Sequence, residues 1–326
     1  MQHLKLPSSI HKELLITWHL LYTNVGESII LPIIGMLARF LPTPALLLSI
    51  PWPQLALILC KTVAIFLCYS YIFEVVNQVT SVEEDRINKP HRPIPSGLLT
   101  VRGGHQRWAL SWLICPLLVY YLAGPGASAL LLWYQLWTYF CYVWPRLNHF
   151  VLRSAFVAVG VYNMFRLIDE TIRSVIASFP LPPVRFYLCL SAWVMATIHL
   201  QEFHDSEGDR VMGRRTLPVV VGPEWEGALR WATALVLGAA GMSPLMNSCM
   251  ASWHCGGAVS GSVGWIRTGA VVTAALHAIF AVFTGVRCVR GGKATTAYDR
   301  RTYKRFYMMA AYTMICYLSF MTAVWD

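Results

Sequence analysis

Residues 77–97 read NQVTSVEEDRINKPHRPIPSG and close a long apolar run. Continued as a helix at about 100° per residue, Asn77, Ser81 and Asp85 fall roughly 40° apart along one stripe. Glu74 and Glu84 lie on or beside it. An amide, a hydroxyl and carboxylates in one row are hard oxygen donors, the kind that suits Mg²⁺. A basic, proline-rich loop follows at once, with Arg86, Lys89, His91 and Arg92 beside Pro93 and Pro95. Oxygen donors for a metal beside cations for a phosphate point to a diphosphate site at the mouth of a hydrophobic helix.

A second stretch has the same design. Residues 201–222 read QEFHDSEGDRVMGRRTLPVVVG and again close an apolar run. Glu202, Asp205 and Asp209 share one helical face within about 60°. Arg210, Arg214 and Arg215 follow, then a Thr-Leu-Pro stop. Two such stripes facing each other would hold two or three Mg²⁺ bridged by a diphosphate.

Working outward, the 326 residues are 56% hydrophobic and only 13% charged, with a mean hydropathy of +0.50. A soluble domain carries about a quarter charged residues. The composition therefore predicts an all-α transmembrane protein, a single polytopic domain over 1–326. A span needs about 20 mostly apolar residues. Nine stretches qualify: 13–38, 53–83, 105–123, 126–145, 150–178, 184–205, 225–245, 264–287 and 304–325. The motif helices are the second and the sixth. The start has no small-residue cleavage site, so the first span is expected to stay.

The net charge of +10 is no nucleic-acid signal, because the cations sort by loop. Lys5, Lys12, the 86–107 cluster, Arg146, Arg153, the 210–230 cluster and the 287–305 loop fall on one side. Arg39, Arg185 and Arg267 fall on the other. This bias agrees with nine spans and places both acidic motifs on the cytosolic face, here expected to be that of the endoplasmic reticulum. The 287–305 loop is strongly basic; most of its charge is expected to serve orientation and lipid contact, with one or two residues left as candidates for reaching a diphosphate.

Other residues carry weaker expectations. Phe73 and Tyr69 lie one and two turns below Asn77 and would line a cavity wall. Glu27 sits within the first span with no partner evident, and intramembrane carboxylates are costly. Arg166 with Glu170, and Asp169 with Arg173, are spaced i,i+4 as local pairs on a face turned inward. His199 reads as a packed, hydrogen-bonded side chain. No cysteine cluster has zinc spacing; Cys249 and Cys255 share an outer loop and could pair or stay free.

Together the two motifs resemble those of the UbiA superfamily of intramembrane prenyltransferases. That family's first motif reads roughly NDxxDxxxD before a basic segment and RPxPSG. Here the chain has Asn77, Ser81, Asp85 and then Arg92-Pro-Ile-Pro-Ser-Gly97. The second resembles DxxxD…G..TLP, as Asp205, Asp209, Gly213 and Thr216-Leu-Pro218. The resemblance implies nine helices around a central cavity. Gln78 and Ser81 stand where the prenyltransferases usually have carboxylates. The remaining N-x-x-x-S-x-x-x-D, with SVEEDRINKP and RPIPSG, is similar to the fungal membrane-bound terpene cyclases of the same superfamily.

That similarity implies Mg²⁺-dependent ionisation of farnesyl or geranylgeranyl diphosphate and cyclisation by the substrate's own double bonds. Asn77, Ser81, Asp85, Asp205 and Asp209 would bind Mg²⁺, with Glu84 and Glu202 as further metal ligands. Arg86, Lys89, Arg92 and Arg210 would contact diphosphate, Arg214 and Arg215 less so. The expected partners are the prenyl diphosphate and the lipid bilayer, with no nucleic acid. Two alternatives stand beside this: an aromatic or quinone-precursor prenyltransferase of the same superfamily, and a non-catalytic transporter or scaffold.

Overall fold

The computed structural model describes residues 8–254, 262–292 and 295–325. No strand occurs among them. The helices are α1 (Ser8–Leu21), α2 (Leu31–Ala38), α3 (Pro44–Ser49), α4 (Trp52–Thr80), α5 (Val82–Asn88), α6 (Val101–Ala123), α7 (Pro125–Tyr142) and α8 (Phe150–Arg173). After them come α9 (Val184–Thr197), α10 (Ser206–Val211), α11 (Leu217–Val221), α12 (Glu226–His254), α13 (Ser262–Gly291), α14 (Thr296–Arg301) and α15 (Met308–Trp325). Tighter or wider turns interrupt this series. Ile198–His204 is a 3₁₀ segment, and Gly26–Ile30 and Thr302–Tyr307 are π-helical.

Every predicted span coincides with helix, but nine crossings are not shown. Among the described residues four helices are long and apolar enough to cross a membrane: Trp52–Thr80, Phe150–Arg173, Val263–Gly291 and Thr296–Trp325. A fifth span arises if Ile10–Asn24 and Gly26–Ala38, bent by 80°, count as one. The first predicted span is thus broken rather than continuous. Exposed Leu48, Leu113, Leu117, Leu235 and Ile279 give the chain an apolar exterior. Buried Phe66, Phe165, Ile65, Ile72 and Leu167 fill its interior. An apolar exterior over a partly polar interior suits a lipid solvent, and the chain is an integral membrane protein.

Helix packing follows small residues where backbones approach. A Cβ at Gly241 of α12 would stand 2.6 Å from the Ala281 methyl of α13. Further along, α13 packs on α15, α4 on α6 and α8 on α9.

The charges within α8 are not the local pairs that the spacing suggests. Asp169 accepts from Arg39 at 2.8 Å and from the Tyr187 hydroxyl at 2.7 Å. Arg39 itself lies over the Phe186 ring, 5.2 Å from its centroid. Arg166 lies 5.5 Å from the Tyr187 ring centroid. The i,i+4 rule finds neighbours on one helix. Here the bundle supplies a better-buried partner from α2's end. His199 bonds Thr233 at 2.8 Å, as a packed histidine. Cys249 and Cys255 lie outside the residues whose side chains are described.

Candidate active site

The first motif does not continue as one helix. At Ser81 the backbone turns to φ −128°, ψ 30°, ending α4 and starting α5. The straight stripe Asn77–Ser81–Asp85 is therefore not realised. Asn77 faces a polar chamber of about 470 Å³, together with Glu84, Asp205 and Lys89. Ser81 and Asp85 stand behind its wall, held by cations. Arg92 donates to both Asp85 oxygens at 2.9 and 2.8 Å and reaches Glu74 at 3.4 Å. Arg214 donates to the Ser81 hydroxyl at 2.6 Å, pairs with Glu84, and lies 3.7 Å from Asp209. Gln78 turns away from the chamber, donating to the Leu20 carbonyl at 3.4 Å.

The second motif is built on a 3₁₀ turn, where residues three apart eclipse. Glu202 and Asp205 thereby stay on one side, as the helical reading requires, although α9 stops at Thr197. Asp205 pairs with Lys89 of the first motif's loop at 3.1 Å. Glu202 meets Arg153 at 3.5 Å and accepts from the Leu217 amide at 2.9 Å. Glu202, Asp205 and Asp209 line a smaller pocket of about 90 Å³, which shares Tyr142, Arg153, Gln201 and Asp205 with the chamber. Gly208 lets α10 approach α5: a Cβ there would sit 2.3 Å from Asn88 Nδ2. That same Asn88 amide donates to the Asp205 carbonyl at 3.3 Å.

Among the described residues no three His, Cys, Asp or Glu side chains converge as a metal cage. Mg²⁺ in phosphate sites typically takes one or two carboxylates plus substrate oxygens and water, so a full protein cage is not required. Two features of the carboxylates fit such an ion. Asp205 Oδ1 and Asp209 Oδ1 are buried with no hydrogen-bond donor. Burial pushes the Asp209 carboxyl up to about 6, against the pull of Arg153 and Arg214. Burial likewise raises Asp85 above its usual range despite Arg92. Buried carboxylates that their neighbours only partly compensate favour a further cation.

Of the cations expected at the diphosphate, Lys89 and Arg92 line the chamber. Arg86 does not: it is 60% exposed and pairs with Glu83 at 2.6 Å. Arg210 and Arg215 are exposed as well. Immediately after a helical aspartate the side chain points away from it, and both Arg86 and Arg210 follow one. Arg214, one of the two lesser expectations, lines the chamber as well, and the chamber gains Arg153, His204, Arg300 and Lys304. The last two come from the basic 287–305 loop, whose composition was the available signal. Nothing local in the sequence marks Arg153 or His204.

Below the chamber lies an apolar cavity of about 210 Å³. Asn24, Phe73, Tyr142 and Gln201 line both spaces and so mark their junction. Tyr69 and Phe73 line the cavity as their spacing suggests. Tyr69 stacks on Tyr134, centroids 3.8 Å apart, with its hydroxyl tied to the Gly160 carbonyl at 2.9 Å. Phe73 stacks on Phe156 at 5.4 Å and meets Tyr142 edge-on at 5.3 Å. Trp193 stacks on Tyr307 at 5.2 Å.

A model of the UbiA prenyltransferase family matches residues 36–309. The chain belongs to that family. Among its relatives, Polyprenyl transferase eriF of Hericium erinaceus is 31% identical over 236 residues, covering 72% of each chain. Diterpene cyclase eriG of the same organism is 29% identical over 235 residues, 72% of this chain and 67% of its own. Somaliensene A/B synthase of Streptomyces somaliensis is 29% identical over 178 residues, 53% of this chain and 56% of its own. A solved structure concerning digeranylgeranylglyceryl phosphate synthase superposes with a TM-score of 0.58 at 15% identity, covering 94% of this chain and 98% of that one. That likeness concerns the fold.

Proposed function

We propose that this chain is a membrane-bound terpene cyclase that ionises a linear prenyl diphosphate and closes the cation into a cyclic hydrocarbon. The observation that carries the reading is the junction at Phe73 and Tyr142 between a cation-lined chamber and an aromatic-walled cavity. Departure of diphosphate breaks the C–O bond and leaves both electrons on oxygen. Lys89, Arg92, Arg214, Arg300 and Lys304 offer positive charge where that negative charge develops. Mg²⁺ held by Asn77, Glu84, Asp205 and Asp209, with Ser81, Asp85 and Glu202 beside them, would supply Lewis-acid stabilisation of the leaving group. The allylic cation needs an apolar space without water. The faces of Phe73, Phe156, Tyr69 and Trp193 offer such a wall, each cation–π contact contributing about 0.5–2 kcal/mol.

The motif itself favours cyclisation over transfer, since Ser81 replaces a carboxylate. The similarity to a relative named as a diterpene cyclase supports the same side. A prenyl transfer to an acceptor is the second reading. Its support is the relative named as a polyprenyl transferase and the polar groups Asn24, Glu27 and Glu74 in the cavity wall. In both readings the loop charges favour motifs facing the cytosol, and the membrane proposed is that of the endoplasmic reticulum.

The test is a product assay on membranes containing the protein. Farnesyl or geranylgeranyl diphosphate is supplied with Mg²⁺ and no acceptor, and the extract is analysed by mass spectrometry. The expected result is a cyclic hydrocarbon that disappears with EDTA. Diphosphate that stays intact until a phenolic or quinone precursor is added would establish transfer instead.

A further inference from the structure

The first span breaks at Asn24–Gly26, and its continuation is π-helical over Gly26–Ile30. Facing it is the second π-helical turn, Thr302–Tyr307. Irregular backbone at membrane depth is tolerated where it lines a protein cavity, and π-turns recur at functional sites. Both segments do line the cavity, and they carry an ion pair between them. Lys304 Nζ lies 2.6 Å from Glu27 Oε1, and also donates to Asn24 Oδ1 at 3.0 Å and the Thr23 carbonyl at 2.7 Å. Lys304 faces the polar chamber, whereas Glu27 faces the apolar cavity.

Two carboxylates line the apolar cavity, Glu27 and Glu74. Both oxygens of Glu74 are engaged, by Asn24 and by Arg92. Glu27 Oε2 is buried, and the Tyr303 phenol engages the carboxylate. The Tyr303 and Tyr312 phenols flank that carboxylate. Glu27 is the carboxylate of this aromatic wall that no guanidinium holds: its partners are Lys304 and the Tyr303 phenol, whereas Glu74 is tied to Arg92.

We propose that Glu27 is the proton acceptor that ends the carbocation sequence. This rests on the cyclase reading. A C–H bond next to the cationic carbon breaks, and its electron pair becomes the π bond of the new alkene. The proton goes to the Glu27 carboxylate, giving the neutral acid. The acid then releases the proton to water of the polar chamber, at whose edge Lys304 stands. A salt-bridged carboxylate is a weak base, but a carbocation is acidic enough for one. Lys304 holds the carboxylate in place at the cavity wall.

The experiment compares wild type with Glu27→Gln, which keeps shape and removes the basic oxygen. Released diphosphate and the distribution of hydrocarbons and alcohols are both measured, at matched extents of ionisation. E27Q is expected to release diphosphate more slowly. Its share of the wild-type hydrocarbon should fall roughly tenfold or more, the weight of a positioned general base. Isomeric alkenes and water-trapped alcohols should replace it, and Glu27→Asp should restore part of the wild-type pattern. A purely structural role would lower total turnover and leave the ratio of products unchanged, which would overturn the proposal. So would an E27Q variant that elutes as a folded protein yet releases no diphosphate, since that puts Glu27 in ionisation. Should E27Q fail to fold, E27D decides alone: a shifted product ratio supports the proposal and an unshifted one overturns it. A wild-type protein making no hydrocarbon without an acceptor would instead overturn the cyclase reading, and this proposal with it.

Discussion

Arg214 donates to the Ser81 hydroxyl at 2.6 Å across 133 residues of sequence, and so ties the second motif's loop to the break in the first. The same guanidinium pairs with Glu84 and approaches Asp209. A planar fork can serve three oxygens at once, whereas an ammonium is a single point of charge. Arg214→Lys is therefore expected to lower kcat/KM for Mg²⁺-dependent diphosphate release by about 10²-fold. Arg215→Ala, a change at an exposed neighbour, should alter it less than about threefold.

The metal reading makes its own prediction. Asp85→Ala leaves Arg92 with Glu74 as counter-ion, and Asp209→Ala leaves Arg214 with Glu84. Neither variant strands a buried charge, so both should remain folded in size-exclusion chromatography. Both are expected to lose turnover, as the wild type should when EDTA is added. Full activity in either variant would remove that residue from the metal set.

The cations divide into two groups that direct assay can separate. Arg300 lines the chamber and donates to the Asn88 carbonyl at 3.5 Å. Arg300→Gln should raise KM about tenfold for the diphosphate substrate, as removal of a charge-assisted contact does. Arg86 and Arg210 point to solvent. Arg86→Ala and Arg210→Ala should leave KM within about threefold of wild type. The reverse order would mean that the substrate binds outside the chamber.

What the sequence carried well was local. The helical class, the membrane setting, the two polar run-ends and the Tyr69–Phe73 wall all follow from composition or from spacing along one element. Ser81 shows where that stops. The stripe assumes a continuous helix, but the chain turns there, and Asp85 ends up against Arg92 behind the chamber wall. The Glu27–Lys304 and Arg39–Asp169 pairs join residues 277 and 130 positions apart. Their partners depend on which helices the bundle brings together, and no periodicity along a single helix encodes that. The i,i+4 rule offered Arg173 to Asp169 because it sees only one surface.

That distant pair yields the last prediction. Arg39 and Asp169 are 4% and 0% exposed, with Tyr187 completing the carboxylate's shell. Asp169→Ala leaves a buried guanidinium beside the Phe179 and Phe186 rings without its carboxylate. Breaking such a pair on one side costs about 3–5 kcal/mol. Thermal unfolding of the detergent-solubilised protein should show a correspondingly lower Tm. Removing both charges is a different matter, since desolvation of the ions disappears along with their attraction. Arg39→Met with Asp169→Leu is therefore expected to recover most of the lost stability. Diphosphate release by the double variant should survive, because the pair lines neither the chamber nor the cavity. A double variant as unstable as Asp169→Ala would instead assign the stability to the Tyr187 hydrogen bond.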